Sequence, residues 1–328
     1  MTPDHRLTGA EGHETSRGLR SDSVAEAAHL LGPLVEREVP VGPLTTYRVG
    51  GPAALFCRVD SEGTLAAVTD AVAQTGIDTL MVGRGSNLLV ADRGFDGLVL
   101  VLGSAYEQIA IDGTCVVAGA AAALPVVARR TAAAGLAGFE WAVGVPGSIG
   151  GAVRMNAGGH GADMSMSVLR ARVVDLAAGA DSWVCRGDLG LSYRHSAIAA
   201  DQLVVEVELG LARGAVEAST QRLGEIVAWR RANQPGGQNA GSVFTNPPGD
   251  SAGRLIDAIG AKGLRVGTAS VSTKHANFIQ ADENGSADDV LLLMAEVRRR
   301  VRDQTGQVLV PETVLAGFES HLQQEVER

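Results

Sequence analysis

Two glycine-rich segments contain the residue types that point most directly to chemistry. Residues 138–164 read GFEWAVGVPGSIGGAVRMNAGGHGADM, and residues 83–90 read GRGSNLLV. Glycine lets a ligand approach the main chain closely, and successive backbone N–H groups in a turn form a concave site for anions. Ser86 and Asn87 add side-chain donors to the shorter segment. Together the two segments predict a site that cradles phosphate groups.

Neither segment fits the common alternative interpretations. The longer one is folded and not a flexible linker, because Phe139, Trp141 and Ile149 are among several apolar side chains that must be buried. The shorter one lies between two apolar runs, so its glycines form a turn between two strands. It is not the fingerprint of a dinucleotide-binding βαβ unit, since the third glycine and the helix that should follow are both missing.

Further short motifs accompany these segments along the chain. They are YRVGGPA at 47–53, GVPGSIGGA at 144–152, MNAG at 155–158, SYRHS at 192–196, NAGSVF at 239–244 and PE at 311–312. In combination with GRGSNLLV they resemble the UDP-N-acetylenolpyruvoylglucosamine reductase family, FAD-dependent oxidoreductases that make UDP-N-acetylmuramate for bacterial peptidoglycan. The resemblance covers roughly residues 45–318 and leaves mainly the N-terminal part outside.

The resemblance implies a fold, a cofactor and a reaction. The fold is α+β, with a two-lobed FAD-binding domain of the vanillyl-alcohol-oxidase type and a C-terminal α+β substrate-binding domain. Non-covalently bound FAD is reduced by NADPH and reduces the enolpyruvyl group of UDP-N-acetylglucosamine enolpyruvate. The cofactor contacts expected from the motifs are Arg48, Gly83, Arg84, Gly85, Ser86, Asn87, Leu88, Gly144, Pro146, Gly147, Ser148, Gly151, Ala152, Asn156 and Gly158.

Three residues match the catalytic positions of the family. Reduction of a double bond beside a carboxylate needs a hydride donor, a clamp on the carboxylate and an acid, and no side chain donates hydride. Arg194 matches the active-site arginine, whose guanidinium is always charged and can hold a carboxylate by two bonds. Ser242 matches the proton donor, and Glu312 matches the C-terminal glutamate that can share a proton with the intermediate.

The substrate contacts are less well defined, because the chain departs from the family there. Thr245 stands where a lysine is common, and residues 230–235 read RRANQP where a Lys-Leu-Pro run is common. No tyrosine follows Tyr193, so the chain resembles the subclass that lacks an inserted tyrosine loop. The candidate substrate-binding residues are Tyr193, Asn246, Arg254, Lys262 and Lys274.

Two other functions use similar glycine segments. An FAD oxidase or dehydrogenase for a small alcohol often has a His or Cys tether to the flavin, and His160 is the only such residue in the two glycine-rich segments. A nucleotide-binding regulator would have kept the cradle and lost the chemistry, and the joint presence of Arg194, Ser242 and Glu312 argues against it. Colour loss with NADPH and slow reoxidation by oxygen would separate the three functions.

Composition restricts the partners and the compartment. The formal net charge of −9 argues against a nucleic-acid or anionic-membrane surface as the main partner. Cys57, Cys115 and Cys185 show no metal-ligand spacing and are predicted to be buried thiols in a reducing compartment. The first 22 residues lack the apolar region of a secretory signal, and no apolar run is long enough for a membrane span. These features predict a cytoplasmic protein and leave its oligomeric state open.

Periodicity and turn signals divide the chain into five parts. Residues 1–22 are predicted to be a disordered tail, 23–90 and 91–213 the two FAD-binding lobes, and 214–307 the substrate-binding domain. Residues 308–328 form a return that carries Glu312 and finishes against the second lobe. Helices are predicted over 24–31, 62–74, 123–134 and 216–231, after Ser251, and from Ser286 to Arg302. A hairpin is predicted across Asp112-Gly113.

Overall fold

The computed structural model describes the backbone of residues 10–327 and the side chains of residues 21–327. Its helices are α1 (Ala10–Leu31), α2 (Glu62–Thr75), α3 (Leu124–Ala133), α4 (Ile149–Arg154), α5 (Val216–Asn233), α6 (Ala252–Ala258), α7 (Ala287–Thr305) and α8 (Ser320–Glu327). Its strands are β1 (Glu36–Pro40), β2 (Pro52–Val59), β3 (Thr79–Met81), β4 (Leu88–Val90), β5 (Phe95–Leu102), β6 (Ile109–Asp112), β7 (Cys115–Gly119), β8 (Leu136–Ala137), β9 (Gly158–Gly159), β10 (Ala162–Asp163), β11 (Val168–Asp175), β12 (Ala180–Cys185), β13 (Gln202–Gly210), β14 (Ala212–Arg213), β15 (Arg265–Val266), β16 (Ala269–Val271), β17 (Ile279–Ala281) and β18 (Val314–Ala316).

The first helix begins earlier than composition predicts. Disorder was expected to residue 22 and a helix only over residues 24–31, whereas α1 already starts at Ala10. The C-terminal part of α1 is anchored, since Ala27, Ala28 and Leu31 are buried in a core with α2. A helix that is nucleated at one end extends at little further cost per residue. Residues 1–9 of the predicted tail lie outside the described residues.

The first lobe is built on the four-stranded sheet β1-β2-β5-β3. Helix α2 begins where the Ser61 side chain accepts a hydrogen bond from the Thr64 N–H, and it ends at Gly76 with φ of 61°. Such side-chain N-caps and left-handed glycine C-caps are what define helix ends in sequence. The glycines of the shorter glycine-rich segment lie between β3 and β4, so the predicted turn between two strands is confirmed.

The second lobe is built on the five-stranded antiparallel sheet β12-β11-β13-β7-β6. The hairpin predicted across Asp112-Gly113 is β6–β7, and Gly113 has φ of 61°. Helix α5 was assigned to the substrate-binding domain, but its Leu223 and Ile226 are part of the second lobe's core. The third domain therefore begins after α5. The longer glycine-rich segment contains a 3-10 helix over Glu140–Gly144 and the short helix α4.

The third domain combines the sheet β15-β16-β17 with helices α6 and α7. Its core also contains Tyr47, Val49, Leu89 and Ala91 from the first lobe, so these two parts share one hydrophobic core. The C-terminal return was predicted to finish against the second lobe, and this is wrong. Strand β18 pairs in parallel with β4 of the first lobe. Since β4 has no partner in the four-stranded sheet, β18 satisfies its backbone groups.

A polar contact also ties the third domain to the first lobe. The Asp92 carboxylate, just after β4, accepts hydrogen bonds from the Ser286 hydroxyl and from the N–H groups of Ala287 and Asp288 at the start of α7. Ser286 itself caps α7 by accepting from the Asp289 N–H. The first turn of α7 is thus capped both by its own N-cap and by a carboxylate from another part of the chain, which favours one fixed orientation of the two parts.

Candidate active site

A cavity of about 650 Å³ lies between the two lobes and the third domain. It brings together the three predicted catalytic residues Arg194, Ser242 and Glu312, which come from the second lobe, the third domain and the C-terminal return. The predicted cofactor contacts that line the same cavity are Gly83, Arg84, Gly85, Ser86, Asn87, Leu88, Pro146, Gly147, Ser148, Gly151, Ala152 and Gly158. The tertiary structure thus places both glycine-rich segments beside the predicted catalytic groups.

The two glycine-rich segments face each other across a narrow gap. A Cβ added at Gly83 would lie 2.5 Å from the Ser148 Oγ, and one at Gly147 would lie 3.5 Å from the Ser86 Oγ. Side chains at these positions would fill the space between the loops. The hydroxyl groups of Ser86 and Ser148 and the Arg84 side chain line the cavity beside this contact, and they are donors suited to the diphosphate of a bound FAD.

Gly85 has a different role from the other glycines of the gap. Its φ is 57°, and a Cβ there would lie 2.3 Å from the Leu44 carbonyl oxygen. The Gly85 carbonyl accepts a hydrogen bond from the Thr46 N–H at 3.1 Å. Gly85 is therefore required to dock the loop against the preceding turn of the chain, whether or not a ligand is present.

Arg194 is held at the tip of a tight turn. Ser192 and His195 exchange two backbone hydrogen bonds of 3.0 and 3.1 Å, and Arg194 has φ of 57°. A non-glycine residue in this region costs of the order of 1–3 kcal/mol, and such strain concentrates at functional sites. The Asn156 side chain donates to the Ser192 carbonyl at 2.8 Å and steadies the turn. The guanidinium donates to the Gly158 carbonyl at 3.1 Å.

Glu312 forms an ion pair with Arg194 inside the cavity. Its Oε1 lies 2.7 Å from the Arg194 Nε, and the two side chains are only 16% and 22% exposed. The two groups are not aligned as a hydrogen bond, so within the described part of the chain the Arg194 Nε–H has a charged neighbour but no well-directed acceptor. Burial raises the pKa of the Glu312 carboxyl above its usual value, and the Arg194 guanidinium opposes that rise. A carboxyl group in this environment is suited to proton exchange.

Two asparagines position the predicted acids through the main chain. Asn277 is buried and pairs with Phe244 in both directions, donating to its carbonyl at 2.8 Å and accepting from its N–H at 3.1 Å. This fixes the segment that carries Ser242. The Glu312 N–H donates to the Val243 carbonyl at 2.8 Å, which brings the return alongside that segment. Asn87, a predicted cofactor contact, donates to the Glu312 carbonyl at 2.9 Å.

Three predicted cofactor contacts lie outside the cavity lining. The Arg48 side chain is exposed, and the backbone N–H of Arg48 donates to the Thr45 hydroxyl. Gly144 packs under α5, where an added Cβ would lie 3.0 Å from Ile226. The buried Asn156 amide is occupied within the protein, since it binds Ser192 and accepts from the Ser165 N–H. These residues shape the loops that line the cavity.

The predicted substrate-binding residues also lie outside the cavity lining. Arg254 pairs with Asp250, Lys262 pairs with Asp257 at 2.7 Å, and the Lys274 ammonium donates to a backbone carbonyl of α5. Tyr193 is exposed on the Arg194 turn, and its hydroxyl accepts from the Asn246 N–H at 3.4 Å. The structure therefore does not bring the three predicted basic residues together with Arg194.

Arg230 and Gln234 line the cavity instead, and the sequence analysis missed both. Arg230 is half-buried, and no hydrogen-bond or ion-pair partner is found for its guanidinium in the described part of the chain. Burial lowers its pKa. Gln234 has a buried Oε1 that also lacks a partner there. The available signal was helical spacing, because Arg230 continues the buried face of α5 formed by Leu223 and Ile226, where a charge is unexpected.

Comparisons with known proteins agree with this architecture. A model described as "FAD binding domain" matches residues 53–180. The fold and the site thus define a two-lobed FAD-binding protein with an added C-terminal domain. A second model, described as "UDP-N-acetylenolpyruvoylglucosamine reductase, C-terminal domain", matches residues 232–316. The chain belongs to the UDP-N-acetylenolpyruvoylglucosamine reductase family, and the α+β fold predicted from sequence is confirmed.

Individual relatives support the family assignment over most of the chain. The protein is 42% identical over 285 residues to the UDP-N-acetylenolpyruvoylglucosamine reductase of Acidiphilium cryptum, which covers 86% of this chain and 91% of the relative. The enzyme of the same name from Heliobacterium modesticaldum is also 42% identical, with 86% and 90% coverage. The crystal structure of UDP-N-acetylenolpyruvylglucosamine reductase from Thermus caldophilus superimposes with a TM-score of 0.76 at 36% identity, covering 86% of this chain and 99% of that one.

The cysteines differ in their exposure. Cys57 is buried, Cys115 is half-buried and Cys185 is exposed, so the predicted burial holds only for Cys57. All three are free thiols. Among the described helices, none has the length and apolar character needed to cross a membrane.

Proposed function

We propose that the protein reduces the enolpyruvyl group of UDP-N-acetylglucosamine enolpyruvate to give UDP-N-acetylmuramate, with FAD as non-covalent cofactor and NADPH as reductant. The observation that carries the proposal is the meeting of Arg194, Ser242 and Glu312 in one cavity with both glycine-rich segments. The family relatives carry this activity in their names. The three free thiols support a cytoplasmic location, where the nucleotide substrates of such a reaction are found.

The residues of the cavity divide the reaction between them. FAD, when bound between Gly83–Asn87 and 146–152, supplies the hydride. Negative charge then develops on the carbon that bears the carboxylate and the ether oxygen, and Arg194 stabilises it. Ser242 donates the proton to that carbon, helped by the charge of Arg194 and by the Glu312 carboxyl. Each role is assigned to a side chain that lines the cavity.

The diphosphate of the substrate requires a cation, and Arg230 is the best candidate. Arg254 and Lys262 pair with carboxylates outside the cavity, and Lys274 binds a backbone carbonyl. Arg230 faces the cavity without a partner among the described residues, and the Gln234 amide is next to it on the same wall. A guanidinium can bind two phosphate oxygens at once, which suits a diphosphate.

The two half-reactions test the proposal directly. The purified yellow protein is mixed anaerobically with NADPH, which is expected to bleach it, and then with UDP-N-acetylglucosamine enolpyruvate, which is expected to restore the colour. Arg194→Met should keep the first step and slow the second by a factor on the order of 10² or more. Rapid return of colour with oxygen alone, or none with the enolpyruvyl substrate, would exclude the reductase. Equal slowing of both steps in the variant would mean that Arg194 acts on cofactor binding or folding.

A further inference from the structure

Glu312 already places one carboxylate against Arg194 in the free protein. Its Oε1 is 2.7 Å from the Arg194 Nε, and both side chains are largely shielded from solvent. The contact is not aligned as a hydrogen bond, and the buried Nε–H has no well-directed acceptor among the described residues. One other nitrogen of the guanidinium donates to the Gly158 carbonyl. Because the Arg194 Nε is buried against Glu312, a second carboxylate would bind through the terminal nitrogens of the guanidinium.

We propose that a ligand carboxylate binds at Arg194 together with one proton, which Glu312 takes up from solvent. Glu312 is the charged partner of Arg194 in the free protein and becomes a neutral hydrogen-bond donor in the complex. The inference rests on the proposed function, because that function makes Arg194 the residue that holds the carboxylate of the enolpyruvyl substrate and of the lactyl product.

The physical reason is the charge balance of a buried site. Arg194 and Glu312 together are neutral, whereas a second carboxylate would leave a net negative charge in a poorly solvated pocket. Two carboxylates that share one site cannot both ionise freely, so one of the two acquires a strongly raised pKa. Glu312 is the group whose pKa is already raised in the free protein, because burial raises it and only Arg194 opposes the rise. Protonation removes the excess charge and supplies a hydrogen bond to the ligand.

The other charged groups around the cavity are not placed to take up the proton that accompanies the ligand carboxylate. Those that line it are Asp78, Arg84, Arg93, Asp96, Arg154 and Arg230. The arginines stay charged through the neutral range, and the two aspartates are exposed to solvent. His195 is exposed on the Arg194 turn, and His160 has its pKa lowered by burial and by Arg222 and Arg230. A Glu312→Gln variant separates Glu312 from these histidines, because glutamine keeps the shape and cannot take up a proton.

Calorimetry with two matched ligands tests the inference. Binding of UDP-N-acetylmuramate and of UDP-N-acetylglucosamine, which lacks the lactyl carboxylate, is measured on the oxidised FAD-loaded protein in buffers of different ionisation enthalpy. We expect about one more proton to be taken up with the carboxylate ligand. Its affinity should fall about tenfold per pH unit above the pKa of free Glu312 and below that of the complex, while the affinity of the other ligand stays nearly constant.

The variant decides which group takes up the proton. In Glu312→Gln the difference in proton uptake between the two ligands should vanish, with FAD content and UDP-N-acetylglucosamine affinity retained. Equal proton uptake for both ligands in the parent protein, or a difference that persists in Glu312→Gln, would overturn the inference and leave the proposed function standing. Failure of both ligands to bind would overturn the proposed function and the inference with it.

Discussion

Ser242 is a weak acid by itself, and its surroundings decide whether it can protonate carbon. The buried Asn277 fixes its segment, and the Glu312 N–H binds the Val243 carbonyl at 2.8 Å, so the two acids are held side by side. In the proposed mechanism Arg194, which is paired with Glu312, supplies the charge that stabilises the developing anion. At the scale of single residues, the site consists of ordinary side chains whose reactivity depends on fixed neighbours.

Removing the Ser242 hydroxyl should affect only the second half-reaction. General acid catalysis contributes about 10²–10⁴-fold, which corresponds to about 3–5 kcal/mol. Ser242→Ala should slow reduction of the enolpyruvyl substrate within that range, and Ser242→Cys, which keeps a donor, should recover part of the loss. Stopped-flow absorbance separates this step from bleaching by NADPH, which should be almost unchanged. An alanine variant that reduces the substrate at the parent rate would show that water or Glu312 delivers the proton.

The role of Arg230 predicts a change in substrate affinity. Arg230→Met keeps the apolar stem that packs near Gly144 and removes the charge. A hydrogen bond to a charged group is worth about 1.5–3 kcal/mol, so the KM for the UDP-linked substrate and the Kd for UDP should rise about 10–150-fold. Lys262→Met is the matched control, because Lys262 pairs with Asp257 outside the cavity lining. A higher KM for NADPH with an unchanged KM for the UDP-linked substrate would mean that Arg230 contributes to NADPH binding and not to substrate binding.

At the scale of elements, the glycine-rich loops serve two distinct purposes. Gly85 docks its loop on the residue 42–45 turn and needs a left-handed backbone, whereas Gly147 has room for a Cβ in the free protein. From sequence, a bulky side chain at either position is expected to expel the cofactor, either by occupying the diphosphate space or by forcing φ out of range. The contacts instead separate a structural requirement at Gly85 from a spatial requirement for the ligand at Gly147.

Alanine at these two positions should therefore give different results. Gly147→Ala should lower FAD affinity with little change in the melting temperature of the apo protein, because its Cβ meets only contacts of 3.5 Å. Gly85→Ala should destabilise the apo protein itself, since φ of 57° is unfavourable for alanine and a Cβ would lie 2.3 Å from the Leu44 carbonyl oxygen. Thermal unfolding with and without FAD and a flavin titration distinguish the two. Full FAD affinity in Gly147→Ala would show that Gly147 does not border the cofactor site.

At the scale of the whole molecule, the third domain belongs with the first lobe. The two share the core around Tyr47 and Leu89, the β4–β18 pairing and the capping of α7 by Asp92. Ser242 and Glu312 are thereby attached to the first lobe, while Arg194 comes from the second. The three side chains that we propose to be catalytic therefore meet only when all three parts are folded together.

Loss of the Asp92 cap should lower the stability of the whole protein against unfolding. Asp92→Ala removes three acceptor contacts at the start of α7, and loss of a helix cap costs about 0.5–2 kcal/mol. Because the core is shared, we expect a lower melting temperature with one cooperative transition retained. Asp70→Ala on the exposed face of α2 is the control and should change stability by less than about 0.5 kcal/mol. A separate early transition in Asp92→Ala would show that the third domain unfolds independently.

The sequence alone was enough to predict the local features and a part of the cavity lining. Caps and periodicity predicted α2 and α7, the Asp112-Gly113 turn predicted the β6–β7 hairpin, and the motifs predicted the family. These signals are local, because a helix end or a turn is determined by residues a few positions apart. Arg194, Ser242 and Glu312 were predicted by resemblance, and the structure places all three on the cavity.

Only the tertiary structure decided which distant groups meet. Asn87 and Glu312 bind each other across the length of the chain, β18 pairs with β4, and α5 packs on the second lobe. No local pattern encodes such contacts, because they depend on how separate elements bury their apolar faces and satisfy their backbone groups. The same reason applies to the proposed phosphate contact. In the sequence, Arg254, Lys262 and Lys274 could not be distinguished from Arg230 as cations, whereas in the structure those three have partners outside the cavity lining and Arg230 lines the cavity.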